Sequence, residues 1–255
     1  MAAPIIDTHA HFDDARFEQN ADRLFSEMAA NGVEAIISCA VNQHDSYEKN
    51  RQLAERYPIC YFAVGVHAQN IEENGPLDLS LLRAQAAHKK CVAIGEIGLD
   101  YYYVQDNKAQ QLEVVTKQLQ LANELQLPVS FHDRDAHADT LCILQEYKPR
   151  GVVHCFSGSL EMAQEIIKLG MYIGIGGIVT FPNAKKLLRV AQEIPLEYIV
   201  LETDAPYLAP VPYRGQTNRS DYILKTAEHI AELRQTSTDT VLEQCRNNAR
   251  TLFGI

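Results

Sequence analysis

Five of the nine histidines in this sequence of 255 residues lie where their side chains could converge on metal ions. His9 and His11 are separated by one residue, and further imidazoles follow at His67, His132 and His154. Successive side chains of a β-strand point to opposite faces, so in a strand His9 and His11 would point the same way. Two imidazoles placed in this way can reach one ion, and the spacing therefore predicts a metal-binding pair.

Two carboxylates, Glu96 and Asp204, accompany these histidines. Imidazole and carboxylate together suit divalent Zn, Mn, Fe or Co, whereas a site made mainly of carboxylates suits Mg or Ca. Two ions about 3.5–4 Å apart can clamp both oxygens of a displacement and generate hydroxide near neutral pH. A lone strand-end histidine is usually structural, and H-x-H alone is a weak motif. The whole set predicts a metal-dependent hydrolytic centre.

A repeated pattern along the chain predicts the elements that must position these residues. Short apolar runs rich in β-branched residues alternate with longer stretches of helical period, as in a parallel sheet buried on both faces. Eight runs are predicted strands, at 4–7, 34–40, 60–67, 91–100, 128–132, 151–156, 171–177 and 198–204. Eight such β-then-α units predict an α/β fold, a (β/α)8 TIM barrel that forms a single domain over 1–255. The five histidines and two carboxylates named above then fall at or near the C-terminal ends of strands, where barrel active sites lie.

Amphipathic stripes support the helices of this barrel. The stripes are Leu112, Val115, Leu119 and Ala122; Ala163, Ile166 and Ile167; Ile223, Ala227, Ile230 and Ala231; and Val241, Cys245, Ala249 and Leu252. Ser159 and Asn183 are predicted to be helix N-caps. The alternative fold, an open doubly wound sheet, requires a glycine-rich phosphate loop after the first strand, but the sequence there is D-T-H-A-H.

Composition and charge narrow the class of protein. Apolar residues make up 46% and charged residues 22%, which excludes a disordered or fibrous chain. The net charge of −10 argues against a protein that coats nucleic acid by charge alone, but it allows a local basic patch. The longest uncharged run, 169–184, is broken by glycines and predicts no membrane span. The N-terminal stretch MAAPIIDTHAH does not resemble a signal peptide. Six cysteines without a C-x-x-C pair predict buried, reduced thiols in a cytoplasmic protein.

Two further acidic residues lie close to the predicted ligands. Asp7 precedes His9 by two residues and Glu202 precedes Asp204 by two, so each shares a strand face with a ligand. Carboxylates beside metal sites orient the imidazoles, and we predict this role for both, with a structural ion pair as the alternative for Glu202. Cys155 follows the predicted ligand at 154 directly and is therefore predicted to face the outer helices.

The motifs and their order resemble those of the TatD family, a group of metal-dependent barrels related to the amidohydrolases. The resemblance rests on D-T-H-A-H at 7–11, G-V-H at 65–67, G-E-I-G-L-D-Y at 95–101, F-H-x-R-x-A at 131–136, H-C-F-S-G at 154–158 and E-T-D-A-P-Y-L-A-P at 202–210. It spans residues 5–219, whereas the first motif alone would indicate only the wider superfamily.

The resemblance implies a TIM barrel and a divalent-metal-dependent deoxyribonuclease. Carried over residue by residue, it implies two or three ions of Mg, Mn or Zn on the ligands His9, His11, Glu96, His132, His154 and Asp204. Two segments depart from the family pattern. The family often reads G-V-H-P-H where this chain has Ala68 and Gln69, and 214–220 lacks the proline that many members carry. Both segments bear on substrate preference.

From the metal centre and the resemblance we predict hydrolysis of DNA phosphodiester bonds, with Glu96 and Asp204 as the catalytic residues. Glu96 is expected to bridge the ions, and Asp204 to accept the proton of the attacking water. A narrow barrel mouth fits a single-stranded or frayed 3′ end, which favours a 3′–5′ exonuclease. We expect the enzyme to act on DNA as a monomer and to have no membrane partner.

A phosphate substrate requires basic groups near the mouth of the barrel. The predicted substrate contacts are His67, Arg134, Tyr101, Tyr207 and Arg214. Lys185 and Lys186 extend the basic rim. Tyr102, Tyr103 and Phe181 follow strands as well, and they either stack on bases, for about 1–3 kcal/mol each, or pack the loops.

Two other functions stay open from the sequence. The same metal cluster could hydrolyse an amide or ester, including that of a D-aminoacyl-tRNA, although a small neutral substrate needs no basic rim. Members of the wider superfamily often carry a lysine on the fourth strand where this chain has Glu96, which favours the TatD branch. A non-catalytic metal-binding scaffold would be expected to have lost a ligand, and all six are present.

Overall fold

The eight predicted strands form one sheet that closes into a barrel. The structure, a computed structural model, describes residues 3–255, so Met1 and Ala2 of the predicted domain 1–255 lie outside the described residues. The strands are β1 Ile5–Ala10, β2 Val33–Cys39, β3 Cys60–Val64, β4 Cys91–Asp100, β5 Val129–Arg134, β6 Gly151–Val153, β7 Tyr172–Ile175 and β8 Ile199–Leu201. Each strand pairs in parallel with the next, from β1 to β8. The prediction of a (β/α)8 TIM barrel is confirmed, and the open doubly wound sheet is excluded.

Helices connect the strands and cover the sheet. They are α1 Ala15–Glu18, α2 Ala21–Ala30, α3 Asp45–Arg56, α4 Ile71–Asn74, α5 Leu79–Ala86, α6 Lys108–Leu125, α7 His137–Tyr147, α8 Leu160–Lys168, α9 Lys185–Glu193, α10 Ile223–Arg234 and α11 Thr238–Phe253. The predicted stripes lie in α6, α8, α10 and α11 and pack in the core, with Leu112 and Ile167 only partly buried. Ser159 caps α8, since its side chain accepts a hydrogen bond from an N–H of the first turn. The prediction for Asn183 is wrong, because α9 begins after Ala184.

The first and last strands meet where the barrel closes. Ala10 and Ala205 form a parallel bridge there, and the Asp204 N–H donates to the carbonyl oxygen of His9 at 2.9 Å. The C-terminal helix covers this seam, with Phe253 buried in the same apolar cluster as residues of β1 and β8. Burial of one such side chain contributes about 1.5–3 kcal/mol. The seam is therefore held both by backbone pairing and by apolar packing.

An irregular pairing between β4 and β5 places two of the predicted ligands side by side. Glu96 lies within β4 rather than at its end, in a step where three residues of β4 match two of β5. Such a bulge turns a side chain out of the regular alternation. Gly98 has a φ of 146°, and a Cβ there would lie 2.0 Å from the carbonyl oxygen of His132. Only glycine allows this approach.

The cysteines are all unpaired, but they are not all buried. Four thiols lie in the core, as predicted, whereas Cys142 is exposed and Cys155 is partly buried, so the prediction of buried thiols is corrected at these two positions. Among residues 3–255, no helix combines the length and the apolar character needed to cross a membrane.

Candidate metal centre

Glu96 lies at the middle of the site, and its two carboxylate oxygens face different groups of imidazoles. Oε2 lies 3.3 Å from Nε2 of His11 and 3.6 Å from Nε2 of His9. Asp204 is on the same side, with Oδ1 3.5 Å from Nε2 of His11. His9, His11 and Asp204 form a set of donor atoms that lie within 4.8 Å of one another. This set can hold one ion.

The other oxygen of Glu96 faces a second group. Oε1 lies 2.8 Å from Nε2 of His154, 2.9 Å from Nδ1 of His132 and 3.4 Å from Nε2 of His67. The structure therefore brings together all six predicted ligands, which we call the metal centre, and places His67 beside them. Glu96 belongs to two sets of donor atoms that each lie within 4.8 Å of one another, one with His9 and His154 and one with His67 and His132, so its carboxylate is available to more than one set.

The outer nitrogens of three rings test whether the centre fits metal ions. A ring whose outer nitrogen is engaged by the protein has its other nitrogen free for an ion. The outer pairs are His9 Nδ1 with Ser130 Oγ at 2.8 Å, His11 Nδ1 with the Cys39 carbonyl at 3.0 Å, and His132 Nε2 with Asp100 Oδ2 at 3.3 Å. Their remaining nitrogens all point at the carboxylates of the centre. This donor set suits divalent cations.

His67 presents a different group to the centre. Its Nδ1 accepts a hydrogen bond from the backbone N–H of Gln69 at 3.3 Å. Burial lowers the pKa of His67 to about 4, so the ring is neutral and its proton lies on Nε2. Apart from the neighbouring carboxylate of Glu96, this buried Nε2 has no partner among residues 3–255. His67 therefore directs an N–H into the centre, and its ring also belongs with Glu96 and His132 to a set of donor atoms that lie within 4.8 Å of one another.

Charge within the centre is balanced between carboxylates and imidazoles. Burial opposes the charge of Glu96, but the surrounding imidazoles lower its pKa well below the ordinary value. Burial also opposes a charge on His132, yet hydrogen bonds to Asp100 and Glu96 raise its pKa to about 9. Burial lowers the pKa of His9 to about 3, which leaves that ring neutral. Both carboxylate oxygens of Glu96 are thus ionised and available to cations.

Among residues 3–255, Asp7 and Glu202 form no hydrogen bond with an imidazole ring, so the predicted orienting hydrogen bonds are not formed. The carboxylate of Asp7 accepts hydrogen bonds from the N–H groups of His9 and Thr203 and from two hydroxyls, including that of Ser220 at 2.7 Å. Glu202 accepts a hydrogen bond from the N–H of Cys155. Each side chain thus holds the backbone of a residue that is a predicted ligand or lies next to one. The ion pair predicted as the alternative for Glu202 is not formed within the described chain. Burial raises the pKa of Glu202 well above its usual range.

Asp100 is the residue that orients an imidazole, and the sequence analysis did not assign it. Its side chain is fully buried, and its Oδ2 accepts the hydrogen bond of His132. A signal was available, because Asp100 stands four residues after Glu96 in the same motif. The contact depends on the shifted register between β4 and β5, which the sequence alone does not show.

The prediction that Cys155 faces the outer helices relies on strand alternation, which does not apply to this residue. Burial and the nearby charges of Asp204, Glu202 and Glu96 raise the pKa of its thiol well above the ordinary value. The alternation argument fails because β6 ends at Val153 and Cys155 has a φ of 44°.

Exposed arginines stack on aromatic rings around the mouth of the barrel. We call these residues the rim: Arg134 over Tyr102 and Tyr103, both at 4.6 Å, Arg214 over Phe181 at 4.4 Å, and Arg16 over Tyr207 at 4.5 Å. They follow or end the strands β1, β4, β5, β7 and β8, at the face where barrel active sites lie. The predicted basic residues Lys185 and Lys186 are exposed at the start of α9.

Tyr101 does not belong to the rim, which corrects its predicted substrate contact. Its ring is 8% exposed, its hydroxyl donates to Asp139 at 2.7 Å, and Lys108 lies over it. The next two residues, Tyr102 and Tyr103, are 53% and 61% exposed and take the position expected for it.

Comparison with known proteins agrees with this geometry. The profile of the family described as "TatD related DNase" matches residues 6–254. The chain is 37% identical to the uncharacterized metal-dependent hydrolase YabD of Bacillus subtilis, over 98% of this chain and 99% of that protein, and 38% identical to YcfH of Escherichia coli K12, over 98% and 96%. The crystal structure of YjjV, a TatD homologue from Escherichia coli, superposes with a TM-score of 0.91 at 34% identity over 100% of both chains. A TatD family hydrolase from Entamoeba histolytica gives a TM-score of 0.87 at 25% identity over 99% of both chains. The chain is therefore a metal-dependent hydrolase and belongs to the TatD family.

Proposed function

We propose that this hydrolase removes nucleotides from the 3′ end of single-stranded or frayed DNA. The observation that carries the proposal is the rim, in which exposed Arg134 and Arg214 stack on aromatic rings and form no ion pair among residues 3–255, whereas Arg16 is paired with Asp14. A guanidinium binds phosphate oxygens, and an exposed ring stacks on a base. A small neutral amide or ester would need neither group.

The residues of the centre divide the work of hydrolysis. Divalent ions held by Glu96, Asp204 and the imidazoles would supply Lewis-acid activation of water and of the scissile phosphate. Asp204 is the more accessible carboxylate, with 19% of its side chain exposed against 5% for Glu96. We therefore propose that the carboxylate of Asp204 accepts the proton of the attacking water. The Nε2–H of His67 is placed to donate to a phosphate oxygen.

The net charge of the chain is −10, so a nucleic acid is attracted only where cations are concentrated. The rim concentrates them on several sides of one opening. Because His9, Glu96 and His154 are buried and barrel active sites lie at the C-terminal ends of the strands, we propose that a single strand enters with its end first. This arrangement supports an exonuclease.

All six ligands come from one chain, so a monomer can form the whole centre. The six unpaired thiols support a reducing compartment, and we propose a cytoplasmic location.

Cleavage of single-stranded DNA labelled at its 5′ end tests this proposal. The metal-stripped protein is assayed after addition of Mg, Mn or Zn in turn, beside the variant Glu96→Ala. We expect a ladder that shortens with time, needs metal, is absent in the variant and is blocked by phosphorothioate linkages at the 3′ end. Intact DNA with every ion, together with hydrolysis of an ester or of a D-aminoacyl-tRNA, would replace the nuclease by the alternative hydrolase.

A further inference from the structure

A fully buried carboxylate joins the metal centre to the rim. Oδ1 of Asp100 accepts hydrogen bonds from the N–H groups of Tyr102 at 3.0 Å and Tyr103 at 2.8 Å. Oδ2 of the same side chain accepts from Nε2 of His132 at 3.3 Å and from Nε2 of Gln69 at 2.6 Å. One oxygen therefore serves the turn that carries the exposed tyrosines, and the other serves a metal ligand.

Gln69 holds two imidazoles of the site at once. Its backbone N–H donates to Nδ1 of His67, which directs the Nε2–H of that ring into the centre. Its side chain donates to Asp100, next to the hydrogen bond from His132. At this position the chain departs from the G-V-H-P-H pattern, so the contact belongs to this sequence.

The carboxylate itself has little freedom to move. The side chain of Gln111 accepts a hydrogen bond from the N–H of Asp100 at 2.9 Å and donates to its carbonyl oxygen at 3.0 Å. Asp100 has no exposed surface. A rigid group with one oxygen on each side transmits a change at one contact to the other, because both oxygens belong to the same planar carboxylate.

We propose that Gln69 and Asp100 are positioning residues that couple occupation of the metal centre to the order of the turn at Tyr102 and Tyr103. When Nδ1 of His132 holds a cation, the N–H on Nε2 becomes more acidic and its hydrogen bond to Asp100 strengthens. Asp100 then holds the turn more firmly, and with it the tyrosines on which Arg134 stacks. The assignment of this part of the rim to DNA rests on the proposed function, whereas the coupling does not.

The variant Asp100→Asn separates the two sides of the carboxylate. Its amide oxygen can still accept from the two tyrosine N–H groups, but its NH2 group faces two donors, on Gln69 and His132, and cannot accept from either. We expect the affinity for Zn²⁺, measured by competition with a chromogenic chelator, to fall about 10–100-fold, as for other partners of metal-bound histidines. Gln69→Ala should fall at the lower end of that range.

Hydrogen exchange of the turn provides a readout that is independent of activity. In the unmodified protein, Zn²⁺ should slow exchange of the Tyr102 and Tyr103 amides at least tenfold. In Asp100→Asn the metal-free exchange should stay close to that of the unmodified protein, and saturating Zn²⁺ should no longer slow it. Gln105→Ala is the matched control, since Gln105 reaches only the carbonyl oxygen of Tyr102, at 3.5 Å.

Each outcome decides the proposal. Unchanged Zn²⁺ affinity in Asp100→Asn, or turn exchange that ignores Zn²⁺ in the unmodified protein, overturns it. If circular dichroism shows that Asp100→Asn does not fold, Gln69→Ala carries the test, and unchanged affinity and exchange in that variant overturn the proposal. Because no DNA is present, failure of the nuclease assay leaves these results unaffected.

Discussion

Replacing Glu96 by glutamine is expected to remove most of the stability that the protein gains from metal. The two oxygens of Glu96 face separate groups of imidazoles, 3.3 and 3.6 Å away on one side and 2.8 and 2.9 Å away on the other. Glutamine keeps the shape, but it loses the negative charge shared by both groups and replaces one oxygen by an NH2 donor. Neither group then keeps its full donor set.

The size of the effect follows from linkage. An ion present at about 100 times its dissociation constant stabilises the folded state by about 2.7 kcal/mol, so two ions contribute about 5 kcal/mol. For a chain of this size, 1 kcal/mol corresponds to about 2–4 °C in Tm. The unmodified protein should therefore gain about 10–20 °C when Zn²⁺ is added to the stripped form, and Glu96→Gln should gain less than half of that.

Differential scanning calorimetry of stripped protein, with and without Zn²⁺, measures this difference. The metal-free scan of each variant gives its own baseline, so any change in intrinsic stability is subtracted. Glu161→Gln is the control, because Glu161 is exposed in the first turn of α8, and it should gain as much as the unmodified protein. An equal gain for Glu96→Gln would refute a bridging role for this carboxylate.

Three further perturbations test other parts of the structure. Arg134→Ala should raise KM for single-stranded DNA about tenfold, through loss of a phosphate contact and a stacked pair, and leave hydrolysis of bis(p-nitrophenyl) phosphate unchanged; equal losses on both substrates contradict the rim. Gly98→Ala places a Cβ 2.0 Å from a backbone oxygen of β5 and should lower the free energy of unfolding in urea by more than about 3 kcal/mol, whereas Gly215→Ala, with positive φ but open space, should cost only about 1–2 kcal/mol. The hydrogen bond to Asp133 raises the pKa of His137 in the folded protein above 6.5. The stabilisation that this pair gives the folded state is therefore complete below pH 6.5 and is lost as the pH rises through the folded-state pKa. The urea midpoint should fall less in His137→Gln than in the unmodified protein between about pH 6 and pH 8, and parallel curves would exclude the pair.

The strands and the convergence of the predicted ligands were predictable because they follow from local pattern. Strands buried on both faces need apolar runs, and a parallel barrel brings their C-terminal ends together whatever the connecting loops do. His132 and His154 could thus be placed in one site although they belong to different strands. Glu96 also reaches the centre, but not because it ends a strand. It lies within β4, where the bulge turns its side chain toward the centre.

The outer contacts were not predictable because they depend on where each chain segment ends and turns. Tyr101, Tyr102 and Tyr103 are identical in type, and only the turn after β4 decides that the first is buried and the others exposed. The face of Cys155 was predicted by extending a strand that in fact ends two residues earlier. The proton position on His67 depends on the N–H of Gln69, a contact formed by the short helix at Ala68–Asn70.

The barrel seam gives the metal centre a defined place in the order of synthesis. His9 and His11 lie on or just after the first strand of the barrel, whereas Asp204 follows the eighth strand and the helix that covers the seam comes later still in the chain. The backbone bonds that join them form only when β8 reaches β1. A growing chain accordingly carries an unfinished centre, and hydrolytic competence is withheld until translation has moved past the final strand. Closure of the barrel and completion of the donor set are thus a single event.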